Sequence, residues 1–357
     1  MTTDPKTDPT ELLKKPEYEN TRTLLRGEIV PTRQLNAIVS QMARTQQQIA
    51  ARFNEGAFWS GDNSLPIDGL LFVGESGSGK SFGLKYATQI LPDIELLDGT
   101  TKSSHALFVD TPTQGTVSML AKEILRCADG VEMREPKDQD APGKVMAAFR
   151  RHGYTLVAID EISRIINPQR HAARSLTVQS HLVWTMAIES LNLSTSPIPI
   201  VMSGLPHVLD SFMIVDKKEE AKKVRREAQR RMKIVRLPDL DPGADRDMLE
   251  GAILKYCEVA GVESMLKEED HIIPRLVHAS FNQAGSALEW IQKAVALAKV
   301  RPRGKLNRGD FVCVYGDMTS AARAANPFQV SGWDRIDIGK IAPRTFSEAT
   351  AKVEVAR

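Results

Sequence analysis

The octapeptide GESGSGKS at residues 74–81 is the feature that most constrains this chain. It matches the phosphate-loop pattern G-x-x-x-x-G-K-[ST] at every fixed position. The apolar run LLFV precedes it, and a helical pattern from Phe82 to Ile90 follows. This order matters because a strand, a tight turn and a helix N-terminus together direct backbone N–H groups at an anion. The sequence therefore predicts a loop that binds a nucleoside triphosphate, rather than a Gly-rich turn without function.

Each fixed residue of this loop has an expected role. The glycines can adopt backbone angles that bulkier residues cannot, so that the chain can turn around a phosphate. Lys80 is expected to reach the β- and γ-phosphates, and Ser81 to hold Mg²⁺. The residues predicted to contact the nucleotide here are Gly74, Glu75, Ser76, Gly77, Ser78, Gly79, Lys80, Ser81 and Phe82.

After a second apolar strand at residues 106–109, a third, Tyr154 to Ile159, runs directly into Asp160 and Glu161. An apolar run followed by two acids is a weak signal alone, but it is a strong one after a phosphate loop. Asp160 is predicted to contact the Mg²⁺ shell, mostly through water. Glu161 is predicted to orient and polarise the attacking water. Together with Lys80 and Ser81, these acids predict a hydrolytic site for ATP and Mg²⁺.

Short apolar strands alternate with helices over the central region, which predicts an α/β fold with a five-stranded parallel sheet and flanking helices. After Asp241-Pro242-Gly243 the pattern becomes helical, which predicts a small C-terminal helical lid. The predicted segments are a flexible N-terminal arm (1–29), a nucleotide-binding domain (30–240), a helical lid (241–325) and a tail (326–357).

The overall charge restricts the choice of partners. The net charge is only +2 over 357 residues, so any basic surface must be local. The polar N-terminus lacks a secretory h-region, and no run approaches the ~18 apolar residues of a membrane span. The three cysteines are isolated and lack CxxC spacing. We expect a cytoplasmic protein without membrane contact.

Residues 217–236 form a local basic segment, with ten Lys and Arg against three Glu, a net charge of +7. One interpretation is a solvated helix face, which charge runs usually are. Another is a surface that faces DNA. A third concerns Arg230 and Arg231, which immediately precede the fifth strand. In ring-forming and filament-forming ATPases an arginine at this point reaches the γ-phosphate bound by a neighbouring subunit, and Arg231 is slightly preferred here.

These elements, in this order, resemble those of an AAA+ ATPase, a class of P-loop NTPase. The resemblance covers about residues 30–325. More narrowly, the chain is similar to the TniB/TnsC family of ATP-dependent regulators of DNA transposition, and more distantly to the phage Mu B protein. The segments that carry this narrower resemblance are VPTRQL ahead of the first helix, VMSGLP at the fourth strand and the NPF…W tail.

The resemblance implies a mechanism and a set of partners. In that family, ATP-bound subunits form homo-oligomeric rings or filaments around duplex DNA, with sequence-independent contacts to the phosphates. They recruit a transposase, and ATP hydrolysis disassembles them. The N-terminal arm and the tail are expected to bind protein partners, such as the transposase or a targeting factor.

The resemblance also implies roles for single residues. Ser203, at the end of the fourth strand, is a candidate contact to the γ-phosphate or the attacking water, although it is equally a turn former. Val30 and Pro31 are expected near the adenine. Ser286 stands where many relatives have a nucleotide-sensing arginine. Lys102, Thr113 and Gln114 are candidate DNA contacts, and Thr113 is equally a helix N-cap.

Two other functions remain open from the sequence. A helicase-loader-like AAA+ ATPase would carry the same nucleotide motifs and require a loading partner. A scaffold or signalling NTPase would bind protein and not DNA. A small-molecule kinase is disfavoured, because the sequence shows no acceptor-binding lid after the arginine pair.

Overall fold

The computed structural model describes residues 9–54, 67–95, 99–113, 115–130, 135–137, 140–169, 173–191, 198–212, 219–302, 304–319 and 323–340. The chain divides into two compact units. The sheet unit contains Arg33–Glu75 and Lys80–Pro238. The helical unit contains Met1–Thr32, Ser76–Gly79 and Asp239–Arg357.

The helices are α1 (Pro9–Leu13), α2 (Pro16–Arg26), α3 (Arg33–Asn54), α4 (Lys80–Ile90), α5 (Val117–Asp129), α6 (Ala141–His152), α7 (Ala173–Leu191), α8 (Glu219–Arg231), α9 (Arg246–Ala260), α10 (Ile272–Ala279), α11 (Ala284–Val300) and α12 (Arg308–Thr319). The strands are β1 (Gly69–Val73), β2 (Ile94–Glu95), β3 (Thr101–Lys102), β4 (Ala106–Asp110), β5 (Leu156–Asp160), β6 (Ile200–Gly204), β7 (Met232–Arg236), β8 (Glu263–Ser264) and β9 (Lys305–Leu306). None of the helices in these ranges is long and apolar enough to cross a membrane.

The sheet unit is built on a five-stranded parallel sheet in the order β4-β5-β6-β1-β7. Strands β1, β5 and β6 are buried along their whole length, which is why they read as continuous apolar runs rather than alternating ones. The register sets Asp110 beside Asp160 and Val73 beside Gly204. The parallel sheet predicted from the sequence is confirmed.

Two apolar layers cover the sheet. One contains Leu71, Val109, Ile159 and Trp184, and it is completed by helices α5, α6 and α7. The other contains Leu70, Phe72 and Leu84, with α3 and α4 supplying the cover. Burial on both faces leaves the strand ends as the place where polar groups of the sheet can collect.

The helical unit has its own core, formed mainly by α9 to α12 together with Leu25 of α2. Its largest fully buried side chains include Tyr256, Phe311, Tyr315 and Phe328. The short strands β8 and β9 pair in parallel and join the segment after α9 to the segment before α12. The helical pattern predicted for this part of the sequence is confirmed, with β8 and β9 as an addition.

The two chain ends differ from the expectation. Residues 9–13 and 16–26 form helices where the sequence predicted a flexible arm, because Leu12, Tyr18 and Leu25 bury their side chains in the helical unit. Phe328, in the predicted tail, is fully buried in the same unit.

The cap of α5 also differs from the expectation. Thr116 is its N-cap, and the Thr116 hydroxyl accepts a hydrogen bond from the Met119 N–H at 3.2 Å. Thr113 lies in an exposed turn before it. The sequence offered two threonines, and the one immediately before the helix is used, as capping geometry requires.

Candidate phosphate-binding site

The glycine loop has the backbone conformation that its sequence predicts. Gly77 and Gly79 have φ angles of +81° and +88°, a region that side chains disfavour. The loop follows β1 and leads into α4, which begins at Lys80. At its start, the Gly74 N–H donates to the Gly204 carbonyl at 3.3 Å, which ties the loop to the end of β6.

Lys80 is the buried cation of this loop. Its side chain is 5% exposed, and its ammonium donates to the Gly74 carbonyl at 2.7 Å and the Glu75 carbonyl at 2.8 Å. Burial lowers the pKa of Lys80, because desolvation disfavours the charged form. The carboxylates of Glu161, Asp160 and Glu75 oppose this effect. The ammonium therefore lies close to both acids that the sequence singled out.

Asp160 and Ser203 form a buried hydrogen-bonded pair at the ends of β5 and β6. The Ser203 hydroxyl donates to Asp160 Oδ1 and accepts from the Glu161 N–H at 3.2 Å. Asp160 is 3% exposed and Ser203 is fully buried. Three predicted residues from two separate parts of the sequence are thus brought together. The contact of Ser203 with a phosphate or the attacking water stays a prediction.

Glu161 has an unusual backbone conformation. Its φ and ψ are 58° and 40°, in the left-handed region, which costs a residue with a side chain of order 1 kcal/mol. Its side chain is half-buried, and its Oε2 lies 3.4 Å from Nε of Arg164. This residue lies directly after β5, at the carboxyl edge of the sheet.

Thr111 and Arg164 belong to this constellation, although the sequence did not single them out. The Thr111 hydroxyl donates to the Asp160 carbonyl at 2.5 Å. Arg164 donates to the Thr111 carbonyl and to Asp110 Oδ1, the latter at 2.9 Å. A signal was present, since Asp110 directly follows the apolar run ALFV at residues 106–109 and Arg164 lies three residues after Glu161.

Ser81 and Phe82 follow Lys80 in the first turn of α4. Both are exposed, and Phe82 stacks on Tyr86 with a ring-centroid separation of 6.1 Å. An exposed hydroxyl next to a buried ammonium suits a group that coordinates a phosphate-bound Mg²⁺. No group of three or more His, Cys, Asp and Glu side chains that could hold a metal occurs among the residues described.

Within the helical unit, residues 76–79 contact the start of α11. The Ser286 N–H donates to the Gly77 carbonyl at 3.1 Å. A Cβ on Gly285 would lie 2.7 Å from that same carbonyl oxygen, so a side chain there would displace the loop. Ser286 therefore contacts the glycine loop itself. Ser76 and Gly77 are exposed, and Ser78 is buried.

Val30 and Pro31 differ in environment. Val30 is 6% exposed and packs in the core of the helical unit, whereas Pro31 is exposed. Their predicted position near an adenine stays a prediction, with Pro31 as the accessible member.

The two arginines at the end of α8 also differ. Arg231 is half-buried and forms an ion pair with Glu227 at 3.3 Å. Arg230 is exposed, and no ion pair joins it to any residue that the structure describes.

The predicted DNA contacts lie on separate segments. Lys102 is half-buried in β3, and burial lowers its pKa. Thr113 is exposed after β4. Gln114 lies outside the described residues.

Comparison with known proteins identifies the fold. Residues 69–212 match the family model of an AAA domain. The solved structure of the Orc1 protein of Aeropyrum pernix in complex with DNA is similar, with a TM-score of 0.53, 15% identity, and coverage of 84% of this chain and 69% of that one. Cdc6p from Pyrobaculum aerophilum has a TM-score of 0.50 at 11% identity, covering 81% and 68%.

The Drosophila ORC bound to DNA has a TM-score of 0.50 at 12% identity, covering 91% of this chain and 70% of that chain. No curated protein sequence matches this chain. At such identities the likeness shows a shared fold, and the AAA+ P-loop fold predicted from the sequence is confirmed. The narrower resemblance to the TniB/TnsC family stays a prediction.

Proposed function

We propose that this AAA+ chain is a Mg²⁺-dependent ATPase that assembles on duplex DNA in its ATP-bound form and regulates DNA transposition. One observation carries the nucleotide chemistry. The buried Lys80 ammonium, held by the Gly74 and Glu75 carbonyls, lies beside the Asp160–Ser203–Glu161 network. A buried cation that donates to backbone carbonyls can exchange them for the oxygens of an incoming triphosphate.

The residues present fit ATP and Mg²⁺. The positive-φ glycines provide a turn for phosphates, and Lys80 supplies the positive charge. Ser81 and Asp160 would hold the metal ion, which neutralises charge on the phosphates when it is bound. Asp160 is kept in place by Ser203 and Thr111, so its carboxylate is oriented before any ligand arrives.

Glu161 is the group proposed to orient the attacking water and accept its proton. Its N–H is fixed by Ser203, and its carboxylate extends from a turn at the carboxyl edge of the sheet. Preorganisation of this kind lowers the barrier, because the carboxylate does not have to be ordered in the transition state.

A neighbouring subunit is proposed to complete the site with an arginine from the end of α8. Arg230 is exposed and unpaired among the described residues, whereas Arg231 is paired with Glu227. The slight sequence-based preference for Arg231 therefore shifts to Arg230 in this proposal.

Duplex DNA is the proposed polymer. Two similar solved structures, the archaeal Orc1 and the Drosophila ORC, are bound to DNA. Phosphate contacts from Lys102 and from the segment at Thr113 would suffice for binding without sequence preference. A transposase, and a targeting factor in addition, are the proposed protein partners.

A helicase-loader-like ATPase is the second candidate, and the likeness to Orc1 and Cdc6p favours it. Both candidates share ATP-dependent DNA binding. They differ in which protein the DNA-bound form recruits, a transposase or a replicative helicase. Co-sedimentation of a transposase, or of a replicative helicase, with DNA coated by this protein distinguishes the two candidates. A scaffold NTPase would show neither recruitment nor DNA binding.

Electron microscopy with a non-hydrolysable ATP analogue and random-sequence duplex DNA tests the proposal. We expect oligomers that require both ligands and that dissociate as salt rises, because phosphate contacts release counterions. Monomers under all conditions would contradict it.

The Glu161→Gln variant tests the hydrolytic role. It should bind ATP like the wild type and remain on DNA, because the assembly could no longer disassemble by hydrolysis. A variant that lost ATP binding would show that Glu161 has a different role.

A further inference from the structure

We propose that Arg164 is a positioning residue that fixes the carboxylate of Glu161 and couples it to the end of β4. The inference rests on the proposed function, since it concerns the same acid. It names a residue that acts through Glu161 and does not itself touch the nucleotide.

The guanidinium of Arg164 contacts three groups at once. One terminal nitrogen donates to Asp110 Oδ1 at 2.9 Å and to the Thr111 carbonyl. The Nε atom lies 3.4 Å from Glu161 Oε2. A planar fork with several fixed donors can hold such an arrangement, and a lysine ammonium on a flexible stem cannot reproduce it.

The fold places Arg164 for this task. After Glu161 the chain makes a single 3₁₀ turn, Ile162–Arg164, in which the Arg164 N–H donates to the Glu161 carbonyl at 2.9 Å. This turn brings the side chain back beside the acid that precedes it. The left-handed backbone at Glu161 opens the turn, so the unusual conformation serves the pairing.

Glu161 is consequently held from two sides. The Ser203 hydroxyl of β6 accepts a hydrogen bond from the Glu161 N–H, and Arg164 restrains the Glu161 carboxylate. Arg164 is in turn anchored on Asp110 and Thr111 at the end of β4. Displacement of a reacting group by about 1 Å can cost about 100-fold in rate. A chain segment after β4 that moved on ligand binding would therefore change the position of the acid.

A purely structural ion pair is the alternative. The side chains of Arg164 and Glu161 are 27% and 32% exposed, and partly exposed pairs stabilise a fold by about 1 kcal/mol or less. Removal of this ion pair should therefore cost little stability, so its effect on ATP turnover can be measured in folded protein.

The test is ATP turnover by Arg164→Ala, Arg164→Lys and Asp110→Asn in the full chain with Mg²⁺ and DNA. We expect kcat to fall about 10- to 100-fold in Arg164→Ala. KM and the affinity for a fluorescent ATP analogue should stay within about twofold, because Lys80 and Asp160 are untouched. Arg164→Lys should recover part of kcat, since its ammonium can still pair with one carboxylate.

A double-mutant cycle tests whether Arg164 depends on its anchor. Asp110→Asn should lower kcat less than Arg164→Ala, and adding it to Arg164→Ala should change nothing further. Arg126→Ala is the matched control. It removes an arginine from another i,i+3 pair, with Glu123, on α5, and should leave kcat unchanged.

Wild-type kcat in Arg164→Ala, or full additivity with Asp110→Asn, would overturn the inference. If Arg164→Ala does not fold, Arg164→Lys and Asp110→Asn decide it, and wild-type kcat in both would overturn it. Absence of turnover in the wild-type protein would instead refute the proposed function, so the two failures are distinguishable.

Discussion

Lys80 in the sheet unit and Arg275 in the helical unit are both buried cations, 5% and 4% exposed. Burial lowers the pKa of each. Both donate to backbone carbonyls. Lys80 contacts the carbonyls of Gly74 and Glu75, six and five residues before it. Arg275 contacts those of Asp270, Pro327 and Val330.

The difference lies in how much chain each cation holds together. The two backbone carbonyls that accept from Lys80 belong to its own loop, so a phosphate can replace them without separating distant segments of the chain. Arg275 connects α10 to a segment more than 50 residues later, and Trp333 of that segment lies 5.6 Å from its guanidinium. A buried cation with local acceptors is available for a ligand, whereas one with distant acceptors is part of the fold.

Lys80→Ala should have the largest effect. We expect turnover and ATP-analogue affinity to fall by about 1000-fold, because the charge that faces the phosphates is lost. The melting temperature should stay the same or rise, since a desolvated ammonium is removed.

Lys85→Ala, an exposed lysine on the same helix, is the matched control and should behave like the wild type. Calorimetric unfolding and nucleotide titration measure the two effects separately. A marked loss of stability in Lys80→Ala would remove the distinction between the two cations.

Arg275→Met should show the opposite behaviour. We expect the free energy of unfolding to fall by about 3 kcal/mol, because three carbonyls lose a charged donor and two of them lie on a distant segment. The kcat per folded molecule should not change. Denaturant titration measures the loss, and Arg335→Ala, an exposed arginine in the same C-terminal segment, serves as control. An unchanged unfolding midpoint in Arg275→Met would contradict the structural role assigned to Arg275.

Asp310 extends the comparison to a buried acid. It is fully buried, 2.9 Å from a terminal nitrogen of Arg301, and Oδ2 accepts from the Asn307 N–H at 2.8 Å. Burial raises its pKa to about 6, although Arg301 acts in the opposite direction. The folded chain therefore binds this proton more tightly than the unfolded chain, whose carboxyl has a pKa of about 3.9.

The contribution of Asp310 is fully present below pH 4 and is lost as pH rises through about 6. Relative to Asp310→Asn, which does not titrate, the free energy of unfolding of the wild type should fall by about 2 kcal/mol between pH 4 and 7. Denaturant titrations of both proteins across this range measure the difference. If the free energies of unfolding of the two proteins changed in parallel with pH, the ion pair with Arg301 would lower the pKa of Asp310 as much as burial raises it.

The sequence predicted the parts of the fold that depend on local pattern. GESGSGKS identified the loop, and a buried strand followed by Asp160 and Glu161 identified its neighbour, because motif and periodicity are both readable within a few residues. The helices of the helical unit followed from apolar spacing for the same reason.

Other features depend on partners far along the chain. Arg164 gains its significance from Asp110, which precedes it by 54 residues. Helix α2 looked like a polar arm, because the burial of Tyr18 and Leu25 depends on surfaces from the other end of the sequence. Phe328 is a similar case. Motifs and periodicity report on residues that are close in sequence, whereas these contacts join residues that are far apart in sequence.

Strand β7 forms one edge of the described sheet, pairing with β1 alone, and Lys233 and Arg236 on it are exposed. Positive charge along an unpaired edge discourages a second sheet from adding there, since like charges would be brought side by side. Strand addition is thereby disfavoured on this side. The reversible assembly proposed above would gain from that restriction, because continuous sheets would not separate when the bound nucleotide changes.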